Sequence, residues 1–109
     1  MLTEQFYKNW SGDRLDSIQC DTRFVDDIND DLQYFIDAKT GMCCDDGYTR
    51  DELSIYTDDD KLIDEIMNVA CHRYGCEMVG DEMQAENPEQ LLQAMMTVYA
   101  WIVFEKEMK

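Results

Sequence analysis

Long apolar runs are missing from this 109-residue chain, and bases, prolines and histidines are scarce. No stretch reaches the ~18–20 apolar residues that a membrane span requires. The start, MLTEQFYKNW, lacks the basic-then-apolar order of a secretory leader. The expectation is a cytoplasmic protein. One Pro and five scattered Gly leave no linker, no repeat and no low-complexity tract, so residues 1–109 read as one domain. With a single His there is no metalloprotease HExxH, and neither a nucleophile elbow nor a phosphate-cradling Gly-rich loop is present. Catalysis has little to stand on, and no enzyme and no cofactor are expected. Nine Lys and Arg against 25 Asp and Glu exclude a basic patch for nucleic acid or an anionic membrane.

What the chain has instead is acid. The formal charge is −16, and 16 of the acids are Asp. Residues 13–65 hold 17 acids and five bases, a net −12, whereas residues 66–109 carry only −4. Such crowding opposes compaction by self-repulsion, and solubility alone is served by a net charge of roughly 2–8. A cationic partner, a divalent metal or a halophilic origin are the explanations left.

Apolar spacing predicts a mainly α fold, a small single-domain helical bundle with room for a short β-hairpin around residues 42–57. Thr22 is placed to cap a helix running to about Lys39, with Phe24, Val25, Ile28, Leu32, Phe35 and Ile36 at steps of three and four and Gly41 as its stop. A second helix follows Thr57, with Asp58, Asp59 and Asp60 at the positive end of its dipole and Gly75 as its end. The third opens at Asn87-Pro88-Glu89-Gln90, a cap, a favoured first-turn Pro and a Gln suited to a capping box. Its seven apolar or aromatic residues from Val98 to Phe104 point to burial or to a homodimer contact through Tyr99, Trp101 and Phe104, with a strand as the competing reading. Residues 3–10 are expected as a short helix with Phe6, Tyr7 and Trp10 inward. Glu77 to Gln84 is expected as another, broken near Gly80. Thr49 with Glu52 suits a capping box, while Leu53 to Tyr56 suits a short strand equally well.

The acids are the candidate site. On a helix Asp26 and Asp30 would stand about 6 Å apart along the axis. Asp26, Asp27, Asp30, Asp31 and Asp37, with Asp58, Asp59, Asp60 and Asp64, form the expected partner-binding set, against the plainer reading of a solvated face. Exposed Tyr34, Tyr48 or Tyr56 would serve as anchors if shape rather than charge drives binding. Starts at Asp26, Asp30, Asp37, Asp45 and Asp58 do not fit the twelve-residue EF-hand loop, so no dedicated calcium site is expected. Cys71, His72 and Cys76 beside Cys43 and Cys44 supply zinc-type donors. There is no CxxC pair, however, and adjacent Cys71 and His72 point about 100° apart on a helix. Free, partly buried thiols are the expectation, and no metal.

Residues 57–74, TDDDKLIDEIMNVACHRY, are similar to the Asp-rich helix, ending near a His and a Tyr, of the phage antirestriction family. In size, acidity and helical pattern the chain resembles the phage-encoded DNA-mimic inhibitors of host defence, antirestriction and anti-CRISPR proteins among them. It departs from the antirestriction family in lacking a long acidic C-terminal tail, ending Glu105-Lys106-Glu107-Met108-Lys109. The resemblance implies an acidic inhibitor seated on the positively charged nucleic-acid-binding surface of a host nuclease or CRISPR effector. An immunity protein or antitoxin against a basic nuclease toxin, and a non-catalytic adaptor subunit, are the alternatives.

Overall fold

A computed structural model describes residues 3–7, 17–28 and 30–108. It corrects the mainly α expectation: the described residues form an α+β fold, with a six-stranded sheet and three helices among them. The strands are β1 (Thr3–Tyr7), β2 (Ser17–Val25), β3 (Asp31–Asp37), β4 (Cys43–Cys44), β5 (Glu77–Val79) and β6 (Glu82–Ala85). The helices are α1 (Tyr48–Tyr56), α2 (Asp60–Tyr74) and α3 (Pro88–Met108). Sheet order is β1-β2-β3-β4-β6-β5, and every neighbouring pair is antiparallel.

The helix expected from Thr22 to Lys39 is the β2–β3 hairpin. Its two arms are rich in β-branched and aromatic residues, and between them stands the sequence Asp-Asp-Ile-Asn-Asp, poor in helix interiors and good in turns. The Asp26 carboxylate accepts the amide hydrogens of Ile28 at 2.9 Å and Asp30 at 3.0 Å, and the Asp26 amide donates to the Asp30 carbonyl at 2.9 Å. Thr22 caps nothing. It lies where the β2–β3 register shifts, and its hydroxyl donates to the Leu32 carbonyl at 2.8 Å. Phe24, Val25 and Ile28, expected inward, are about half exposed. The period that matters is two: Leu32, Tyr34 and Ile36 face the core together.

Two other helical expectations are also strands. Residues 3–7 form β1, paired with β2, while Trp10 of that expectation lies outside the described residues. Glu77 to Gln84 is the β5–β6 hairpin, closed by Gly80-Asp81, with Gly80 at φ +64°, the left-handed conformation such two-residue turns need. Around residues 42–57 the expected hairpin is replaced by β4, which pairs with β3 and β6, followed by α1. Residues Leu53 to Tyr56 therefore lie in a helix, whose flanking residue is Gly47 rather than a Thr49 capping box.

The other helices follow their signals. Asp59 caps α2 by accepting from the Leu62 amide at 3.1 Å, and Gly75 closes it in a left-handed conformation. Asn87 caps α3, accepting from Gln90 at 3.0 Å. The stretch VYAWIVF is helical, which removes the strand reading. Leu91, Leu92, Ala94, Met95, Val98, Tyr99 and Ile102 of α3 form the centre of the core, with Ile63, Met67 and Ala70 of α2 and Leu53 of α1 around them.

One buried acid ties the sheet to the helices. Asp45 is fully buried and accepts from the amides of Gly47 (3.0 Å), Thr49 (3.3 Å) and Met83 (2.8 Å). Burial pushes its carboxyl up, and these hydrogen bonds pull it back. Among the described residues, no helix is long and apolar enough to cross a membrane.

Candidate functional site

A cleft of about 370 Å³ opens where the β2–β3 turn approaches α1 and α3, lined by Asp26, Asp30, Asp31, Leu32, Gln33, Tyr48, Glu52, Met95 and Tyr99. The β2–β3 turn and the start of β3 supply three carboxylates. Tyr48 and Glu52, one helical turn apart on α1, present a ring and a fourth carboxyl on the same side. Met95 and Tyr99, also four apart, come from the core face of α3. Tyr48 is about half exposed, and its ring stacks on buried Phe35 with centroids 6.5 Å apart, which fixes the wall of the cleft.

The nine expected binding acids divide by role. Asp30 and Asp31 are exposed on the cleft, and Asp26 lines it while also nucleating the turn. Asp27 points elsewhere: its side chain is 2% exposed and its Oδ2 lies 2.9 Å from Lys106 Nζ. Asp37 accepts from the Lys39 and Thr40 amides at 2.8 and 3.2 Å and holds the turn after β3. Asp59 is the α2 cap, flanked by exposed Asp58 and Asp60. Asp64 meets Arg50 at 2.7 Å, and the same guanidinium reaches Asp81 at 3.4 Å. The structure thus gathers three of the nine at one cleft and sets Asp58 to Asp60 at a second place, the start of α2.

Glu52 lines the cleft although it is outside the expected acidic set; its four-residue spacing from Tyr48 is visible in the sequence. Burial pushes its carboxyl up, and so do the neighbouring carboxyls of Asp27 and Asp26; Lys106 acts in the opposite direction. Burial likewise pushes the Tyr99 phenol up.

Of the expected dimer contacts, Tyr99 is in the core at 4% exposure, and Trp101 is partly buried, edge-on to Tyr56 with ring centroids 5.6 Å apart. Phe104, 64% exposed, is the one of the three that faces outward. Tyr34, offered as a surface anchor, is fully buried.

All five cysteines are unbridged and buried. Burial pushes the Cys43 thiol up to about 11 and the Cys71 thiol up to about 12, so neither is a ready nucleophile near neutral pH. His72 is exposed while Cys71 and Cys76 are buried, which parts the donors of a zinc site. Among the described residues, no three His, Cys, Asp or Glu side chains converge as metal ligands.

The cleft combines the carboxyl groups of Asp26, Asp30, Asp31 and Glu52 with aromatic and thioether surface from Tyr48, Tyr99 and Met95, a lining chemically suited to a cation. Its volume is near the lower end of the roughly 300–1,000 Å³ of small-molecule pockets and suits a side chain or two. Protein-family models, curated proteins and solved structures give no match to this chain.

Proposed function

We propose that this chain is a non-catalytic acidic inhibitor, acting in the cytoplasm, that occupies the positively charged nucleic-acid-binding surface of another protein such as a defence nuclease or CRISPR effector. The observation that carries the reading is the cleft, whose lining brings Asp26, Asp30, Asp31 and Glu52 together with the half-exposed Tyr48. An Arg or Lys side chain can lay its stem on Met95 and Tyr48 and place its charged end among the carboxylates, combining cation–π contact with charge-assisted hydrogen bonds. Surfaces that hold phosphate backbones present such side chains in rows. Asp58 and Asp60 at the start of α2 supply further negative charge for such a row.

The test is capture. Purified protein immobilised at low salt is exposed to a nuclease-rich bacterial lysate, and bound proteins are eluted with a salt ramp. The reading expects a basic nucleic-acid-binding protein that elutes as ionic strength rises and loses its nucleic acid when this chain binds. A partner released only by denaturant, or one that keeps its nucleic acid in the complex, contradicts it. A nuclease encoded beside this chain would favour the immunity-protein form of the same chemistry.

A further inference from the structure

The β2–β3 turn is held against the helices through a cluster that is one hydrogen short. Asp27 is buried, and its Oδ2 is satisfied by Lys106 Nζ at 2.9 Å. Its Oδ1 is also buried and receives no N–H or hydroxyl donor. A buried carboxylate oxygen left without a donor is costly, because it has given up its water and gained nothing in exchange. Beside it from α1 stands another carboxyl, Glu52, and two adjacent carboxyl groups can share a hydrogen bond only if one of them holds a proton.

We propose that a single proton held between Glu52 and Asp27, with Lys106 as their shared counter-charge, latches the β2–β3 turn onto α1 and α3, so that the seating of this turn responds to pH. The latch joins residues far apart in sequence: Asp27 from the turn, Glu52 from α1 and Lys106 from the last turn of α3. The groups that face Glu52 are Asp26 and Asp27 from the turn, Lys106 and Tyr99 from α3, Tyr48 on its own helix, and Asp30 and Asp31 across the cleft. Burial and the carboxylates of Asp26 and Asp27 favour the protonated carboxyl, and Lys106 opposes it. Protonated Glu52 donates to Asp27 Oδ1 and completes the hydrogen bonding of that side chain. Once Glu52 ionises, two carboxylates face each other with one ammonium between them.

The direction with pH follows. A carboxyl pushed up in the folded protein contributes stability that is fully present below its unfolded pKa and lost as pH rises through the folded one. The latch is therefore closed in acid and loosens as pH rises. Asp26 and Asp30 sit on the same turn and line the cleft, so the latch also sets the spacing of the cleft's carboxylates. That consequence rests on the function proposed above, whereas the latch itself is tested without any partner.

The experiment is an NMR titration of the whole chain between pH 3 and 8, following the Glu52 side-chain carboxyl carbon and the backbone amides of Ile28 and Asp30. Expected are a Glu52 midpoint clearly above the ordinary value of about 4.3 and a step at that same midpoint in both amides. Glu52→Gln keeps a donor toward Asp27 and is expected to abolish that step. Lys106→Met, which removes the opposing cation, is expected to move the Glu52 midpoint further up. A Glu52 midpoint at or below the ordinary value in the unsubstituted protein would overturn the latch. So would amide steps that persist unchanged in Glu52→Gln. Failure to capture a partner would leave these readings untouched, so the two proposals fail separately.

Discussion

The Asp45 carboxylate accepts the Met83 amide hydrogen at 2.8 Å, across 38 residues of sequence. The same side chain accepts from Gly47 and Thr49, so one buried acid fixes both the entry to α1 and its position against β6. Asp45→Ala leaves three amide donors without this acceptor in a site closed to water. The expected cost is on the order of 3 kcal/mol, read from the midpoint of urea unfolding at unchanged slope. A loss below about 0.5 kcal/mol, the level of ordinary surface substitutions, would show that water or the backbone replaces the carboxylate.

Burial of the cysteines sets a second expectation. With Cys43 pushed up to about 11 and Cys71 up to about 12, the folded protein at pH 8 holds both as thiols. Mass spectrometry after brief iodoacetamide treatment is expected to find them unmodified in the native protein and labelled in 6 M guanidinium (about the concentration that unfolds even hyperstable domains). Rapid native labelling of Cys71 would mean that α2 opens locally far more often than its packing implies.

The edge-on contact of Tyr56 with Trp101 joins α1 to α3. A double-mutant cycle with Tyr56→Leu and Trp101→Leu is expected to return a coupling of about 1 kcal/mol. Strict additivity would reduce the contact to simple area burial. It would also return Trp101 to the list of surfaces open to a second chain.

The acids divide into structural and free ones, and substitutions should follow that division. Asp30→Lys and Asp31→Lys replace exposed carboxylates at the cleft and are expected to leave the thermal midpoint within a few degrees while weakening partner binding at least tenfold, about 1.4 kcal/mol. Asp27→Lys sets a second cation against Lys106 in a buried position and is expected to destabilise the fold. Equal losses of binding from reversals at Asp30 and at Asp81, which lies on the β5–β6 turn, would point to net charge rather than to the cleft.

Where the sequence spoke locally, it was legible. The Asn87-Pro88 start and the Gly75 stop are written in a few adjacent residues, and α2 and α3 follow them. The strands are specified by partners elsewhere in the chain, which no local window contains. Phe24, Val25 and Ile28 share helical spacing with Leu32 and Phe35, but they stay half exposed while Leu32 and Phe35 are buried in the next strand, so the spacing marks no common face. The candidate site was half legible for a related reason. An Asp side chain reaches backbone amides of its own turn as readily as it reaches solvent, so Asp26, Asp37 and Asp59 hold turns and caps while looking, in sequence, like Asp30 and Asp58. Glu52 escaped notice because its importance comes from Asp27 and Lys106, both brought to it by the fold.

The most direct test of the central claim is displacement. Labelled duplex DNA bound to the captured partner is titrated with this chain at about 50 and about 200 mM salt, the range over which counterion release dominates nucleic-acid contacts. The chain is expected to displace the DNA, and its half-displacing concentration, corrected for the DNA's own affinity at each salt, to rise at least tenfold at the higher salt. A ternary complex with DNA still bound, or a corrected affinity unchanged by salt, would contradict it.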